Sequence, residues 1–224
     1  MNKTYVEIIN LTKSIKDCEI LSNINLKLSK GKIYGFMGKN GSGKTMLFRS
    51  ICGLIKASEG EIIINGKVLG KEISFPESVG VLIEYPGFLP NLTGFQNLKY
   101  LADIKGEIGK DQIEIILEKV GLDKNDRRNF KKYSLGMKQR LGIAQAIMEN
   151  PELIILDEPT NALDNDGIKL VNNIVLELKK QNKIILIASH DKEELELIAD
   201  EIYKIDGGKI VNHTVLKEKI YNEE

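Results

Sequence analysis

Cysteine and histidine are scarce in this 224-residue chain: Cys18 and Cys52, His190 and His213 are the only ones. So few cannot build a disulfide framework or a Cys/His zinc site of ordinary spacing, which argues against redox and structural-metal roles. Charge of one sign is equally lacking. The 32 basic side chains balance 32 acidic ones, so bulk positive charge cannot draw the chain to nucleic acid, and no nucleic-acid partner is expected. Long hydrophobic runs are missing too. Stretches such as Ile184 to Ala188 suit a buried strand and fall far short of the roughly 20 residues that a spanning helix needs. The start, MNKTYVEIIN, has no apolar core followed by a small-residue cleavage site, so no export signal is expected and a cytoplasmic location is. Solenoid repeats, low-complexity stretches and heptad runs are also absent from the sequence.

What is present is 42% hydrophobic and 29% charged, the mixture of a folded chain able to bury a sizeable core. Short β-rich runs bounded by Gly, Pro, Asn or Asp occur at 5–9, 33–37, 61–64, 79–83, 153–156, 183–187 and 201–205. Most are continuously apolar, as strands covered on both faces are, and amphipathic segments at 167–180 and 192–199 supply covering helices. The expectation is an α/β core with a mostly parallel sheet. Strand runs crowd the first seventy residues, so a small antiparallel sheet is expected beside it. Between about 88 and 150 the β-rich runs stop and helical periodicity takes over, with Ile113, Ile116, Leu117 and Val120 on one face. That stretch reads as a helical insertion within a single domain spanning 1–224.

Gly38-Lys39-Asn40-Gly41-Ser42-Gly43-Lys44-Thr45 fits G-x-x-x-x-G-K-[ST] between a strand and a helix. Its glycines let successive N–H groups turn inward toward phosphate oxygens, and the next helix presents its positive end to the same anion. The Lys44 ammonium is suited to the β and γ phosphates, and the Thr45 hydroxyl to Mg²⁺. Leu153-Ile154-Ile155-Leu156-Asp157-Glu158 has the shape of a Walker B segment, a buried strand ending in two carboxylates. Asp157 is then expected to act on Mg²⁺ directly or from its second shell, and Glu158 to polarise the attacking water. Pro159 ends the strand and stiffens the turn.

These two motifs place the chain among P-loop ATPases, and three more narrow it. Tyr133-Ser134-Leu135-Gly136-Met137-Lys138-Gln139-Arg140 resembles the signature segment of ABC-type ATPases, Asn161-Ala162-Leu163-Asp164 the D-loop, and His190 the switch histidine. The five ordered matches cover nearly the whole chain. The resemblance implies a P-loop NTPase core of the ABC cassette type, with an N-terminal antiparallel β subdomain and a helical insertion. It also implies a head-to-tail dimer, of two copies or of one copy with a similar subunit. There Ser134 and Gly136 complete the γ-phosphate site of the opposite cradle, and His190 senses that phosphate. ATP and Mg²⁺ are the implied cofactors. The implied place is peripheral, on the inner face of the cell membrane, against transmembrane permease subunits. The other histidine, His213, is expected to be a solvated residue of a polar tail, and any regulation is expected to come from partners.

Three departures from the family pattern stand out. Ile15 occupies the place where many relatives stack an aromatic on adenine, leaving apolar contact but weaker stacking. Leu135 and Met137 replace the usual glycine and glutamine of the signature, while Ser134 and Gly136 are retained. Glu84, in Val81-Leu82-Ile83-Glu84-Tyr85-Pro86, replaces the glutamine of the Gln-loop and offers Mg²⁺ a harder oxygen. The segment LIEYPGFLPNLTGFQNL followed by YSLGMKQRLGIA resembles the E-loop and signature of ATPases serving bacitracin resistance and lantibiotic self-protection. This implies export of an antimicrobial peptide. A drug, lipid or polysaccharide cargo is the alternative. A ribosome- or chromosome-acting ABC protein is disfavoured by the single cassette and the missing coiled coil. Pro86, Phe88, Leu89, Leu92 and Phe95 supply apolar groups near the expected permease surface, with Phe88 and Leu89 exposed and Leu92 and Phe95 packed inside.

Overall fold

The computed structural model describes residues 4–84 and 87–216. The chain folds as two compact units, one formed by Met1–Pro76 with Leu186–Glu224 and the other by Glu77–Ile185. Pro86 and Tyr85, beside Glu84, lie outside the described residues.

The first unit opens with a long hairpin, β1 (Thr4–Ile15) and β2 (Cys18–Ser29), followed by β3 (Lys32–Met37), α1 (Lys44–Ile51), β4 (Glu59–Ile64) and β5 (Lys67–Val68). β2, β1, β4 and β5 lie side by side in that order as the expected antiparallel sheet. Val6, Ile8, Leu11, Leu21, Leu26 and Leu28 point to its buried face. The unit also holds β9 (Glu201–Asp206) and β10 (Lys209–Val215). β3 pairs parallel to β9, with Tyr34 opposite Glu201, and β10 returns antiparallel on β9, with His213 opposite Tyr203. Phe36 meets Phe48 of α1 edge to face at 5.3 Å and stacks on Tyr203 at 5.6 Å. These aromatics fix α1 against the strand that feeds it.

The tail reading of His213 is corrected here. It sits on β10 with its Nε2 2.8 Å from Glu201 Oε2 and its ring stacked on Tyr203. β10 is an edge strand whose residues 211–215 are all exposed, so no apolar run announced it.

The second unit contains β6 (Val79–Leu82), α2 (Gly94–Lys105), α3 (Lys110–Lys119), a tight helical turn at Phe130–Lys132, α4 (Leu135–Ile147), β7 (Leu153–Asp157) and α5 (Asn165–Lys180). β6 and β7 pair parallel, Val79 opposite Leu153. All of β7 is buried, which explains its unbroken apolar sequence. α2, α3 and α4 fall within residues 88–150, as the helical periodicity predicts. α2 begins with a capping box, in which the Thr93 hydroxyl accepts from Gln96 N and the Gln96 side chain accepts from Thr93 N. Gly80 is the closest approach in this unit: a Cβ there would stand 1.6 Å from Ala146 O of α4. β8 (Ile184–Ser189) starts in the second unit and ends in the first, with α6 (Lys192–Ile198) after it.

Candidate nucleotide-binding and hydrolytic site

The phosphate loop follows β3 directly and is packed too tightly to be an accidental turn. At Gly38 a Cβ would lie 2.4 Å from Ile205 O and 2.5 Å from Ser42 Oγ. Gly43 has φ +111 and sits against Leu21 and Ile20 of β2 and against Gly208. Gly208 N in turn donates to Ser42 O at 2.9 Å, so the loop is clamped between β2 and the β9–β10 turn. A side chain at Gly43 would meet both the left-handed backbone and this packing.

The loop's polar groups fit a phosphate chain. Ser42 Oγ is buried and has no hydrogen-bond partner among the described residues, a donor that an anion in the loop would satisfy. α1 has Gly43 at its N-cap and no side-chain cap bond, so its first-turn N–H groups face the same place without a capping oxygen of their own. Lys44 is buried, and its Nζ donates to Gly38 O at 2.6 Å and Lys39 O at 3.3 Å. That grip sets the ammonium across the loop it serves. Lys39, Asn40 and Gly41 are exposed on the rim, and Thr45 is half-buried in the first turn of α1. Ile15 ends β1 at the hairpin tip, 44% exposed and opposite Cys18. It offers an open apolar contact and no stacking ring.

The second unit presents the acids. Asp157 is the buried last residue of β7, and Glu158 follows with φ +50. That left-handed backbone costs an ordinary residue about 1 kcal/mol, so surrounding contacts must hold it. They include Asn161 N donating to Glu158 O at 3.3 Å, and the Gln139 side chain, whose Nε2 is 3.0 Å from Glu158 O and 3.0 Å from Pro159 O. Gln139 belongs to the signature string, whose sequence alone assigns it no role. Nothing in a single sequence distinguishes a mid-helix glutamine that reaches another turn from one in solvent.

The signature residues form one surface with the D-loop. Ser134 caps α4, its Oγ accepting from Met137 N at 3.2 Å, and remains exposed. A Cβ on Gly136 would lie 3.1 Å from Ala162 O, so this glycine lets α4 approach the D-loop backbone. Ser134, Leu135, Gly136, Met137, Ala162 and Asp164 border an open hollow of about 420 Å³. Leu135 stands 55% exposed beside it. Asp164 caps α5 through Gly167 N at 2.8 Å and lies 3.5 Å from Arg140 Nη2.

Two further residues stand at loop positions. Glu84, after β6, is exposed with φ +57. His190 is exposed at the end of β8. Its turn is pinned on both sides: Ser189 Oγ donates to Glu194 Oε2 at 3.0 Å and accepts from Asp191 N at 3.0 Å. Among the described residues no three His, Cys, Asp or Glu side chains group as a metal cage. Mg²⁺ held mainly by phosphate oxygens, with one or two protein groups, needs no such cage.

Near the expected permease surface the apolar residues divide differently from expectation. Leu89 is exposed, but Phe88 is half-buried against Phe130, ring centroids 5.2 Å apart, and Leu92 and Phe95 are half-buried too. The outward apolar groups are Leu89, Tyr100 and Ile104, the last 73% exposed. The sequence reading missed Tyr100 and Ile104, whose four-residue spacing on α2 places them on one face.

Comparison with known proteins agrees with this arrangement. A family model described as ABC transporter matches residues 21–161. The bacitracin transport ATP-binding protein BcrA of Enterococcus faecalis is 43% identical over 95% of this chain and 70% of its own length. The lantibiotic transport ATP-binding protein SrtF of Streptococcus pyogenes is 39% identical over 92% of this chain and 89% of its own. Among solved structures, the dimeric bacterial ABC transporter cassette MJ0796 superposes with a TM-score of 0.88 at 24% identity, over 96% of this chain and all of that one, which attests the α/β cassette fold. Phosphate loop, acid-tipped strand and signature helix are thus accounted for together: the chain belongs to the ABC transporter family, as one of its ATP-binding, ATP-hydrolysing subunits.

Proposed function

We propose that the chain is a single cassette, with a helical subdomain at about 88–150, that pairs head to tail on ATP and drives a separate permease exporting a peptide antibiotic. The partner is a second copy or a similar subunit, and the place of action is the inner face of the cell membrane. The observation that carries this reading is the exposed N-cap of α4: Ser134, which caps the helix through Met137 N, and the close-packed Gly136 set a helix N-terminus at the surface, where a mate's γ phosphate can be met. In the same reading Lys44 stabilises phosphate charge, Glu158 orients the water and His190 donates to the γ phosphate. Gly38 to Thr45 wrap the phosphates, and Ile15 touches the base. Thr45, Asp157 and Glu84 are the groups suited to Mg²⁺, which neutralises phosphate charge when bound.

The peptide cargo is supported by the names of BcrA and SrtF and by the Glu84 loop. The permease contact is supported by Leu89 and Tyr100, which border a hollow of about 230 Å³ at the start of α2. Loss of the γ phosphate removes a shared contact, so the dimer opens after hydrolysis. The deciding experiment is Glu158→Gln with size-exclusion chromatography and light scattering. Accumulation of an ATP-dependent dimer that does not turn over supports the roles given. A monomeric variant that hydrolyses ATP at the normal rate overturns them. For cargo, co-expression with the neighbouring permease genes in a sensitive host is expected to raise tolerance to bacitracin or a lantibiotic, and unchanged tolerance would remove that assignment.

A further inference from the structure

Gln139 lies on α4 five residues beyond Ser134, and its amide reaches across to the turn after β7. Both groups it meets, Glu158 O and Pro159 O, are carbonyls, each at 3.0 Å. Only the NH₂ end of the amide can face two carbonyls, so both side-chain hydrogens are used, one on each. The backbone so held is the left-handed one at Glu158. Pro159 has no N–H to contribute, so the turn has one fewer donor of its own with which to fix that conformation.

We propose that Gln139 is a positioning residue for Glu158, acting through the backbone of the turn rather than through the carboxylate. The inference rests on the hydrolytic role given to Glu158 above. Without the two donors the turn relaxes toward an ordinary φ, and the Cα–Cβ direction of Glu158 swings with it. Water orientation is sensitive to displacements of this kind, because misplacement by about 1 Å can cost on the order of a hundredfold in rate. Ser134 caps the same helix, so one rigid element presents the group that meets the mate's nucleotide and holds the turn that acts on the chain's own.

The test compares Gln139→Met, Gln139→Glu and Glu158→Gln in the full chain. Methionine keeps the length of the side chain and removes both donors. It is expected to lower kcat by about tenfold or more, to leave KM and the affinity for a fluorescent ATP analogue nearly unchanged, and to accumulate the ATP-bound dimer. Glutamate sets a carboxylate against two carbonyls. Its activity relative to wild type is expected to rise as pH falls, because the protonated acid regains one donor. An unchanged kcat in Gln139→Met overturns the inference, as does a kcat loss matched by equal losses in nucleotide affinity and melting temperature. A flat activity ratio across pH for Gln139→Glu also overturns it. If Glu158→Gln hydrolyses ATP normally, the hydrolytic reading fails first. If Glu158→Gln traps the dimer while Gln139→Met turns over normally, only the positioning role falls.

Discussion

His213 lies flat on Tyr203, ring centroids 4.2 Å apart and planes 5° from parallel, and the same histidine reaches Glu201 Oε2 at 2.8 Å. Glu201 is buried and also receives Lys32 Nζ at 2.7 Å and the Tyr203 hydroxyl at 3.2 Å. Lys32 comes from β3, Glu201 and Tyr203 from β9 and His213 from β10, so one carboxylate ties three strands of the first unit.

The first prediction concerns acid stability. Burial pushes the Glu201 carboxyl up, but the hydrogen bonds from Lys32 and His213 and the Lys32 charge outweigh it, and the net value lies below the ordinary carboxylate range. A carboxyl depressed on folding contributes stability that is complete above its unfolded pKa of about 4.3 and is lost as pH falls through the folded value. Glu201→Gln is therefore expected to lower the melting temperature near neutral pH, with the deficit shrinking as pH drops below about 4. Thermal melts of both proteins across that range check it. A deficit that grows in acid would show the sign to be wrong.

Lys44→Ala removes the buried ammonium that spans the phosphate loop. A charge-assisted hydrogen bond contributes about 1.5–3 kcal/mol, and 1.4 kcal/mol is tenfold in affinity. ATP affinity is expected to fall by roughly ten- to a hundredfold, read by equilibrium titration with a fluorescent nucleotide. Affinity within twofold of wild type would contradict the phosphate contact.

Glu84→Gln restores the amide usual at this position. Because an amide oxygen holds Mg²⁺ less strongly than a carboxylate does, the Mg²⁺ concentration giving half-maximal hydrolysis is expected to rise by a few-fold. Titration of ATPase activity with Mg²⁺ after EDTA treatment measures it. An unchanged midpoint would take Glu84 out of the metal's surroundings.

Asn97 is buried on α2, where its side chain accepts from Leu89 N at 2.8 Å and donates to Leu89 O at 3.1 Å and Thr93 O at 3.0 Å. Asn97→Ala leaves backbone groups without partners and is expected to cost about 1–3 kcal/mol, measured by urea denaturation. ATP affinity is expected to stay the same. A neutral effect on stability would mean that water replaces the amide.

The parts of the molecule that were legible in the sequence are those where one chemical demand shows in consecutive residues. The phosphate loop is such a case, since Gly38 and Gly43 occupy positions that admit no side chain, and so is β7, whose burial on both faces leaves an unbroken apolar run. β1 was visible only as far as Ile9, because register shifts between Ile8 and Leu11 and between Leu11 and Lys13 break its alternation. β2 carries Asn23, Asn25 and Lys27 and was missed, as was the exposed edge strand β10. The partners of His213 and Gln139 depend on strand register and on tertiary approach, which leave no trace in local pattern.

The contact between Gly80 and Ala146 O has a mechanical consequence. With no side chain between them, the backbones of β6 and α4 pack directly against each other. β6 runs into Glu84, and α4 starts at Ser134. Any residue larger than glycine at position 80 therefore pushes the strand leading to Glu84 away from the helix that Ser134 caps.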